Sequence, residues 1–508
     1  MKKFLCILLS AILLLGLAIP ASAADSKYEI TNPYENINWN TVKAYKTALH
    51  THTNASDGGI TLRQSIERHA EADFDIVATT DHGTVNYSWD YKNPNEFIHG
   101  MLSLAGRSEG KLDYLGKEGT FSNGLSYTYS TAENGDDYLK ISNGKTIMRI
   151  PYGIENNAVS VNAHVNSWFT DYHDNTVTTY LDAVRGVDEH GGVCVINHPG
   201  EYTKARSELH SEKAYNEKNP VYKYYTDKFA DLLEKYDACI GIDMNSKGDV
   251  RTRFDRILWD NLLKRFSANG ENVYGIASSD AHNLNVIDSG YTLVLADEMN
   301  SAAVRSALEN GEFFAASHCL GNYDELLEIA ASLKEYYGET AIFNKVNNAA
   351  KSIAERIKDI ENGVLDADEE IFLTYSVLDD NGYCTAETHP IVTAIKVDDE
   401  ADTITMNTEN ALIIRWISDG KLIATQKADG TPFALSDYAD KIGSYVRAEV
   451  FGEGGMLYVE PFILNAEENA GKSNVVGFYQ DLGVFDFLLA DFNNWWAIIS
   501  RFFMNLFH

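Results

Sequence analysis

Between residues 45 and 317 the chain alternates short apolar runs with amphipathic stretches. The runs at 45–48, 74–79, 192–196, 238–242 and 273–277 are rich in Val, Ile and Ala. The last four are largely apolar at successive positions, which predicts strands buried on both faces, as in a parallel sheet, and 45–48 (Tyr-Lys-Thr-Ala) is read as a strand with them. Between the first two runs, Thr61-Leu62-Arg63-Gln64 has the capping-box pattern and predicts an amphipathic helix running toward His69. Helices are also predicted over 222–235, 254–266 and 302–308. This strand–helix rhythm implies an α/β fold built on a parallel sheet or barrel.

Two stretches interrupt the rhythm. Residues 92–150 are rich in Gly, Ser, Asn and Tyr, with a β-hairpin predicted from the segments 127–129 and 138–141. Residues 201–222 are polar and charged, as expected of a loop or lid over a site. A helical connector is predicted over 321–365. An all-β, sandwich-like domain is expected over 366–466, with strand patterns at 371–377, 411–417 and 445–450. That domain holds one histidine, His389, and no cluster of acids with histidines, so chemistry is not expected there. The tail, 467–508, becomes aromatic. Over 485–508 its polar residues recur at helical spacing, which suits a membrane interface or docking onto the protein itself.

Length and charge narrow this picture. At 508 residues the chain exceeds what one core usually serves, so more than one domain is expected. Lys2 and Lys3 precede an apolar run over 4–19, then Pro20 and Ala21-Ser22-Ala23. This is the layout of a cleavable signal peptide, 1–23, with cleavage near Ala23 and a secreted or envelope-associated product. Its loss removes two lysines and no acid, moving the formal net charge from −32 to −34. Such a chain repels nucleic-acid backbones and anionic membranes, leaving at most weak envelope association through the tail. It would host an anionic substrate only where cations are supplied locally, and metal ions serve. Four cysteines remain, Cys194, Cys239, Cys319 and Cys384. They are too few for a disulfide framework, and no structural disulfide is expected.

The predicted strands end in chemistry-bearing residues. The first runs into His50-Thr51-His52 and then Asp57-Gly58, the second into Asp81-His82. The third ends in His198-Pro199, and the last in Asp280-Ala281-His282. Alternate strand residues share a face, so His50 and His52 point the same way. In a parallel barrel all these ends converge on one rim. Each motif alone has an ordinary explanation as a turn. Together they make a metal-site pattern, because imidazole and carboxylate are common ligands of Zn, Mn and Fe.

In this order the motifs HTHTNASDG, TTDHG, NHPG and SSDAH resemble those of the PHP (polymerase and histidinol phosphatase) family, over roughly residues 45–318. The resemblance implies a distorted (β/α)7 barrel, within 24–320, binding two or three divalent ions (Zn, Mn or Fe). It adds Glu155, in PYGIE, and His164, in NAHV, as ligands. Carried over, it groups His50, His52, Glu155 and Asp280 on one ion, and Asp57, His82 and His282 on a second. Glu155, His164 and His198 hold a third, with Glu155 bridging. Some family members have a histidine where this chain has Asp57. Asp81 is expected to orient neighbouring ligands rather than to bind. Arg251 and Arg253, and His318 at the end of a final strand, are candidate substrate contacts.

These residues predict a secreted metal-dependent hydrolase, foremost a phosphate mono- or diesterase that uses a metal-bridged hydroxide. No G-x-S-x-G elbow accompanies these motifs to suggest a serine nucleophile. The substrate would be a small molecule or derived from a polymer. Secreted PHP relatives of the carbaryl-hydrolase type (CehA/McbA-like) suggest carbamate, amide or ester hydrolysis as the alternative. An envelope-associated binding module with an incidental metal site is a third expectation, from a different class.

Overall fold

The computed structural model describes residues 28–90, 103, 104, 106, 110–157, 163–173, 179–366, 374–378 and 388–465. The expected leader and tail, with Cys384, lie outside the described residues. Among the described residues no helix is long and apolar enough to cross a membrane.

Two sheets carry the N-terminal part. In the first, Lys43–Ala48 runs parallel to Ile76–Val77, which in turn is parallel to Thr146–Arg149. In the second, Val193–Ile196, Cys239–Asn245 and Tyr274–Ala277 are parallel. Single bridges, Thr51 to Ala281 and His82 to Glu155, tie the edges of the two sheets just beyond the strand ends. The five runs expected as strands are strands, and the cores of most are fully buried. Parallel pairing is not universal, however. Val165–Trp168 is antiparallel to both Ile154–Asn156 and Val193–Ile196. The connection 157–164 is too short for the crossover that a parallel neighbour needs.

Local signals act as the pattern predicts. Helix Leu62–Glu71 opens on a complete capping box: Thr61 accepts from the Gln64 N–H, and Gln64 Oε1 accepts from the Thr61 N–H at 2.9 Å. Pro220–Lys235 starts on an Asn219 cap with Pro220 in the first turn, where its missing N–H costs nothing. The predicted hairpin is formed by Ser126–Thr131 and Asp137–Ile141. It extends the first sheet through Thr146–Arg149 rather than standing apart as an appendage. Cys194, Cys239 and Cys319 are buried thiols, and no disulfide forms among the described residues.

The C-terminal strands differ from expectation in one respect. They form an all-β region, but not one set apart from the rest. Gly455–Val459 pairs antiparallel with Phe313–Ser317, so the first sheet continues through it into Tyr445–Gly452 and Ile413–Ser418. A smaller sheet of Ile391–Asp398, Thr403–Glu409 and Phe433–Ala434 packs on this extension. There Trp416 stacks on Phe433 with centroids 4.2 Å apart. Helices Tyr323–Tyr337 and Ala341–Glu361 fill the predicted connector. Buried charges close the junction. Arg447 donates to Asp260 on helix Asp255–Phe266 (2.8 Å) and to Glu449 (2.6 Å), and Arg415 bridges Glu449 and Glu328.

Candidate metal centre

Six histidines and three carboxylates meet where the two sheets are bridged. Their ligand atoms form four overlapping groups, each within 4.8 Å: His52, Asp57, His82 and His282; His50, His198 and Asp280; His50, His52 and Glu155; His82, Glu155 and His164. These are the seven residues of the strand-end motifs together with Glu155 and His164, which the resemblance adds. The partition differs from the one carried over by resemblance. His52 joins Asp57, His82 and His282, and His82 joins Glu155 and His164. His198 Nε2 is nonetheless 3.5 Å from Glu155 Oε1 and 3.4 Å from Asp280 Oδ2.

Glu155 is the hub. Its Oε2 lies 2.7 Å from His82 Nδ1, 3.3 Å from His52 Nε2 and 3.7 Å from His50 Nε2, while Oε1 is 2.7 Å from His164 Nδ1. Asp280 Oδ1 is 3.0 Å from His52 Nε2 and 3.3 Å from His50 Nε2. Asp57 Oδ1 lies 3.2 Å from His282 Nε2 and 3.4 Å from His82 Nε2. Backbone strain accompanies the ligand geometry: His198 and Asp280 have φ of 25° and 47°, in a region that side chains disfavour.

The surroundings fix these side chains. Asp81 accepts from the Thr53 N–H (2.7 Å), Thr53 Oγ1 (2.8 Å) and Ser56 Oγ (2.8 Å), pinning the loop between His52 and Asp57. Its carbonyl also accepts from the Glu155 N–H at 3.4 Å, so it braces neighbouring elements of the cluster. At Gly58 a Cβ would lie 2.8 Å from the Thr53 carbonyl, so the turn that presents Asp57 needs glycine. Asn157 stands between His82 Nδ1 (3.0 Å) and His164 Nε2 (3.2 Å), and Asn197 donates to Glu155 Oε1 at 2.9 Å. Tyr202 stacks on His164 with centroids 4.5 Å apart. Asp243 lies 3.9 Å behind His50 Nδ1.

Electrostatics match a site built for cations. Burial opposes a charge on His50, yet Asp280 and Glu155 outweigh it and raise its pKa to about 10. Burial likewise opposes charge on Glu155, but His164, His82 and His50 hold its carboxyl well below the usual range. For Asp57, His82 and His282 overcome the same penalty and depress the carboxyl. His164 goes the other way: burial outweighs Glu155 and lowers it to about 4. Several deeply buried atoms make no hydrogen bond, namely both ring nitrogens of His198, Oδ1 of Asp280 and Oε2 of Glu155, while Oδ2 of Asp280 pairs with the Lys247 ammonium. Orphaned buried donors and acceptors of this kind are costly unless an ion satisfies them. A set of imidazoles and carboxylates fits first-row divalent ions.

The expected substrate contacts fare differently. Arg253 is buried and donates to the carbonyls of Val250 (2.6 Å), Arg206 (2.5 Å) and Glu208 (2.9 Å), so it clamps the 201–222 loop rather than a substrate. His318 does follow a final strand, Phe313–Ser317, but its ring donates to Gly454 O (2.5 Å), packs on Tyr291 and faces Asp288. It serves the junction with the C-terminal strands. Arg251 is half-buried at the rim and meets Glu201 at 2.7 Å. Sequence reasoning missed Lys247 and Glu201. Lys247 bonds Asp280 and lies 3.0 Å from Glu201, which is 3.3 Å from His198 Nδ1. Glu201 was within reach, because it directly follows the NHPG motif. Lys247 carried no signal beyond a lysine in a loop.

No family model matches the chain, and no curated protein matches it. Two solved structures are similar at a distance. One is a two-domain protein containing a predicted PHP-like metal-dependent phosphoesterase, from Bacteroides vulgatus ATCC 8482. It is 13% identical, with 86% of this chain and 98% of that chain covered and a TM-score of 0.33. The other is PsfC from Pseudomonas syringae PB-5123, 12% identical, with 52% of this chain and 88% of that chain covered and a TM-score of 0.29. Likeness this distant does not bear on function.

Proposed function

We propose that the protein is a metal-dependent hydrolase of the PHP type, acting on phosphate esters outside the cytoplasm. The carrying observation is the convergence of nine ligand-type side chains in one cluster, Glu155 among them, with buried atoms of His198, Asp280 and Glu155 left without hydrogen bonds. We read the bridged ring of strands as the distorted (β/α)7 barrel, and the leader pattern of 1–23 as export. Ions of this class, when bound, lower the pKa of a water toward 7 and neutralise charge on a phosphoryl or carbonyl oxygen. His50, His52, Glu155 and Asp280 would hold one ion, Asp57, His82 and His282 a second, and His164 and His198 with Glu155 a third.

The chain's other residues set the frame for that chemistry. Asp81 keeps the Thr53–Ser56 turn in place, so the Asp57 carboxylate faces His82 and His282. Asn157 fixes the rings of His82 and His164 together. Tyr202 covers one face of His164. The test is to reconstitute the protein with Mn, Zn or Fe and assay aryl phosphate monoesters, diesters, carbamates and carboxylic esters in parallel. Preferential cleavage of phosphate esters is expected. Preferential carbamate or ester cleavage would move the protein to carbonyl chemistry. Metal uptake without turnover of any of the four would overturn the hydrolase assignment.

A further inference from the structure

Beside the cluster, on the side of His198, positive charge is concentrated around one acid. Glu201 is buried, in the turn directly after His198. Its Oε2 lies 3.0 Å from Lys247 Nζ, and its Oε1 lies 2.7 Å from Arg251 and 3.8 Å from Arg206. Arg251 and Arg206 are about one-third exposed, while Lys247 is 17% exposed. The cations therefore face solvent from the rim while Glu201 lies beneath them. Lys247 also bonds Asp280, so the basic group adjoins the candidate ligands directly.

Backbone strain holds Lys247 there. Lys247, Gly248 and Asp249 have consecutive φ values of 50°, 62° and 63°. Only glycine adopts this region freely, so two of the three positions are strained. The strain persists because Asp249 is tied down: Arg256 donates to both its oxygens (2.8 and 2.9 Å), and the Gly321 N–H donates to Oδ2 (2.6 Å). An over-determined loop that aims an ammonium at a ligand cluster is a positioning device. In a chain of net charge −32, three cations meet at one carboxylate, with Asp280 as a second acid on Lys247.

We propose that Lys247, Arg206 and Arg251 form an oxyanion subsite at the edge of the cluster. Glu201 is its resident counter-ion, displaced when an anionic group of the substrate enters. This rests on the hydrolase assignment for its purpose, but not for its geometry. Glu201 supplies to the empty subsite the charge that a phosphoryl or carboxylate oxygen supplies to the filled one. The arrangement selects anionic substrates over neutral ones. A neutral ligand that replaced the carboxylate would remove one negative charge from beside three cations without restoring it. Arginine is suited to this role because its planar fork matches oxyanions.

The test is titration of inorganic phosphate into the EDTA-treated full chain, followed by calorimetry. Replacing Glu201 by Gln should tighten phosphate binding about tenfold or more, because the competing carboxylate is gone. Adding Arg251→Met to Glu201→Gln should reverse that gain. Equal affinity in wild type and Glu201→Gln would overturn the proposal. If Glu201→Gln does not fold, Arg251→Met alone decides, since an unchanged phosphate affinity overturns the proposal and a loss supports it. A second arm uses metal-loaded protein. Arg251→Met should raise KM for an aryl phosphate and leave KM for a neutral aryl ester unchanged, whereas equal rises for both would contradict selection by charge. Failure of loaded wild type to cleave either substrate would sink the hydrolase assignment, while the phosphate titration would still decide the subsite.

Discussion

Arg447 offers the sharpest test of how the C-terminal strands are joined to the rest. Its guanidinium makes three buried hydrogen bonds: two to Asp260 at 2.8 Å, and one to Glu449 at 2.6 Å. All three side chains are at most 5% exposed, so solvent screens them little. In Arg447→Met the methylene stem is largely retained, which preserves packing over Trp259, where the guanidinium sits 4.9 Å from the ring centroid. What is lost is the charge between two buried carboxylates. Asp260 keeps only the Tyr445 hydroxyl among these partners, and Glu449 keeps Arg415. Breaking a buried pair from one side costs about 3–5 kcal/mol, mostly as an uncompensated charge. Adding Asp260→Asn should recover part of that loss. Urea unfolding followed by fluorescence and far-UV circular dichroism would measure both effects. If the sheet is continuous, the two probes should report one coincident transition. A loss below about 1 kcal/mol, or two separated transitions, would refute a rigid charged junction.

Other expectations follow from single residues. His69 is fully buried, and burial lowers its pKa to about 4. The unfolded chain therefore takes up its proton near 6.5 and the folded chain only near 4. This contribution to stability is complete above about pH 6.5 and is lost as pH falls toward 4, by ~3 kcal/mol at most. Acid titration of stability should show this slope, and His69→Gln should flatten it. Asp81→Ala releases Thr53 and Ser56, and should weaken metal binding by about 10–100-fold in chelator competition without removing a ligand. Thr61→Ala removes one half of the capping box and should cost about 1 kcal/mol of stability while leaving metal affinity unchanged.

Much of the N-terminal architecture is legible because its signals are local. Thr61 and Gln64 mark a helix start by their own chemistry. The runs ending at Ile196 and Ala277 are apolar on both faces because both faces are covered. The metal candidates at strand ends are legible for the same reason: each motif follows its own strand, and the fold only has to bring the strand ends together, whereas Glu155 and His164 stand out only through the family resemblance. Pairing is less visible. Nothing in Val165–Trp168 says that it runs antiparallel, since that depends on the length of the chain before it. The union of Gly455–Val459 with Phe313–Ser317 joins segments far apart in sequence, and periodicity is silent on partners. Arginines are the hardest case. Arg251 and Arg253 are two residues apart and read alike, yet one meets Glu201 at the rim and the other holds three loop carbonyls. His318 ends a strand, as a ligand would, but faces the C-terminal strands.

The central claim is that Glu155 and the residues around it bind metal. Wild type and Glu155→Ala, each equilibrated with Mn, Zn or Fe and freed of loose ions, should be analysed for metal per chain by elemental mass spectrometry. More than one ion per wild-type chain is expected with at least one of the metals, with a clear loss in Glu155→Ala. Wild-type chains that retain less than one ion with every metal, or a substituted chain that retains as much as wild type, would contradict the account.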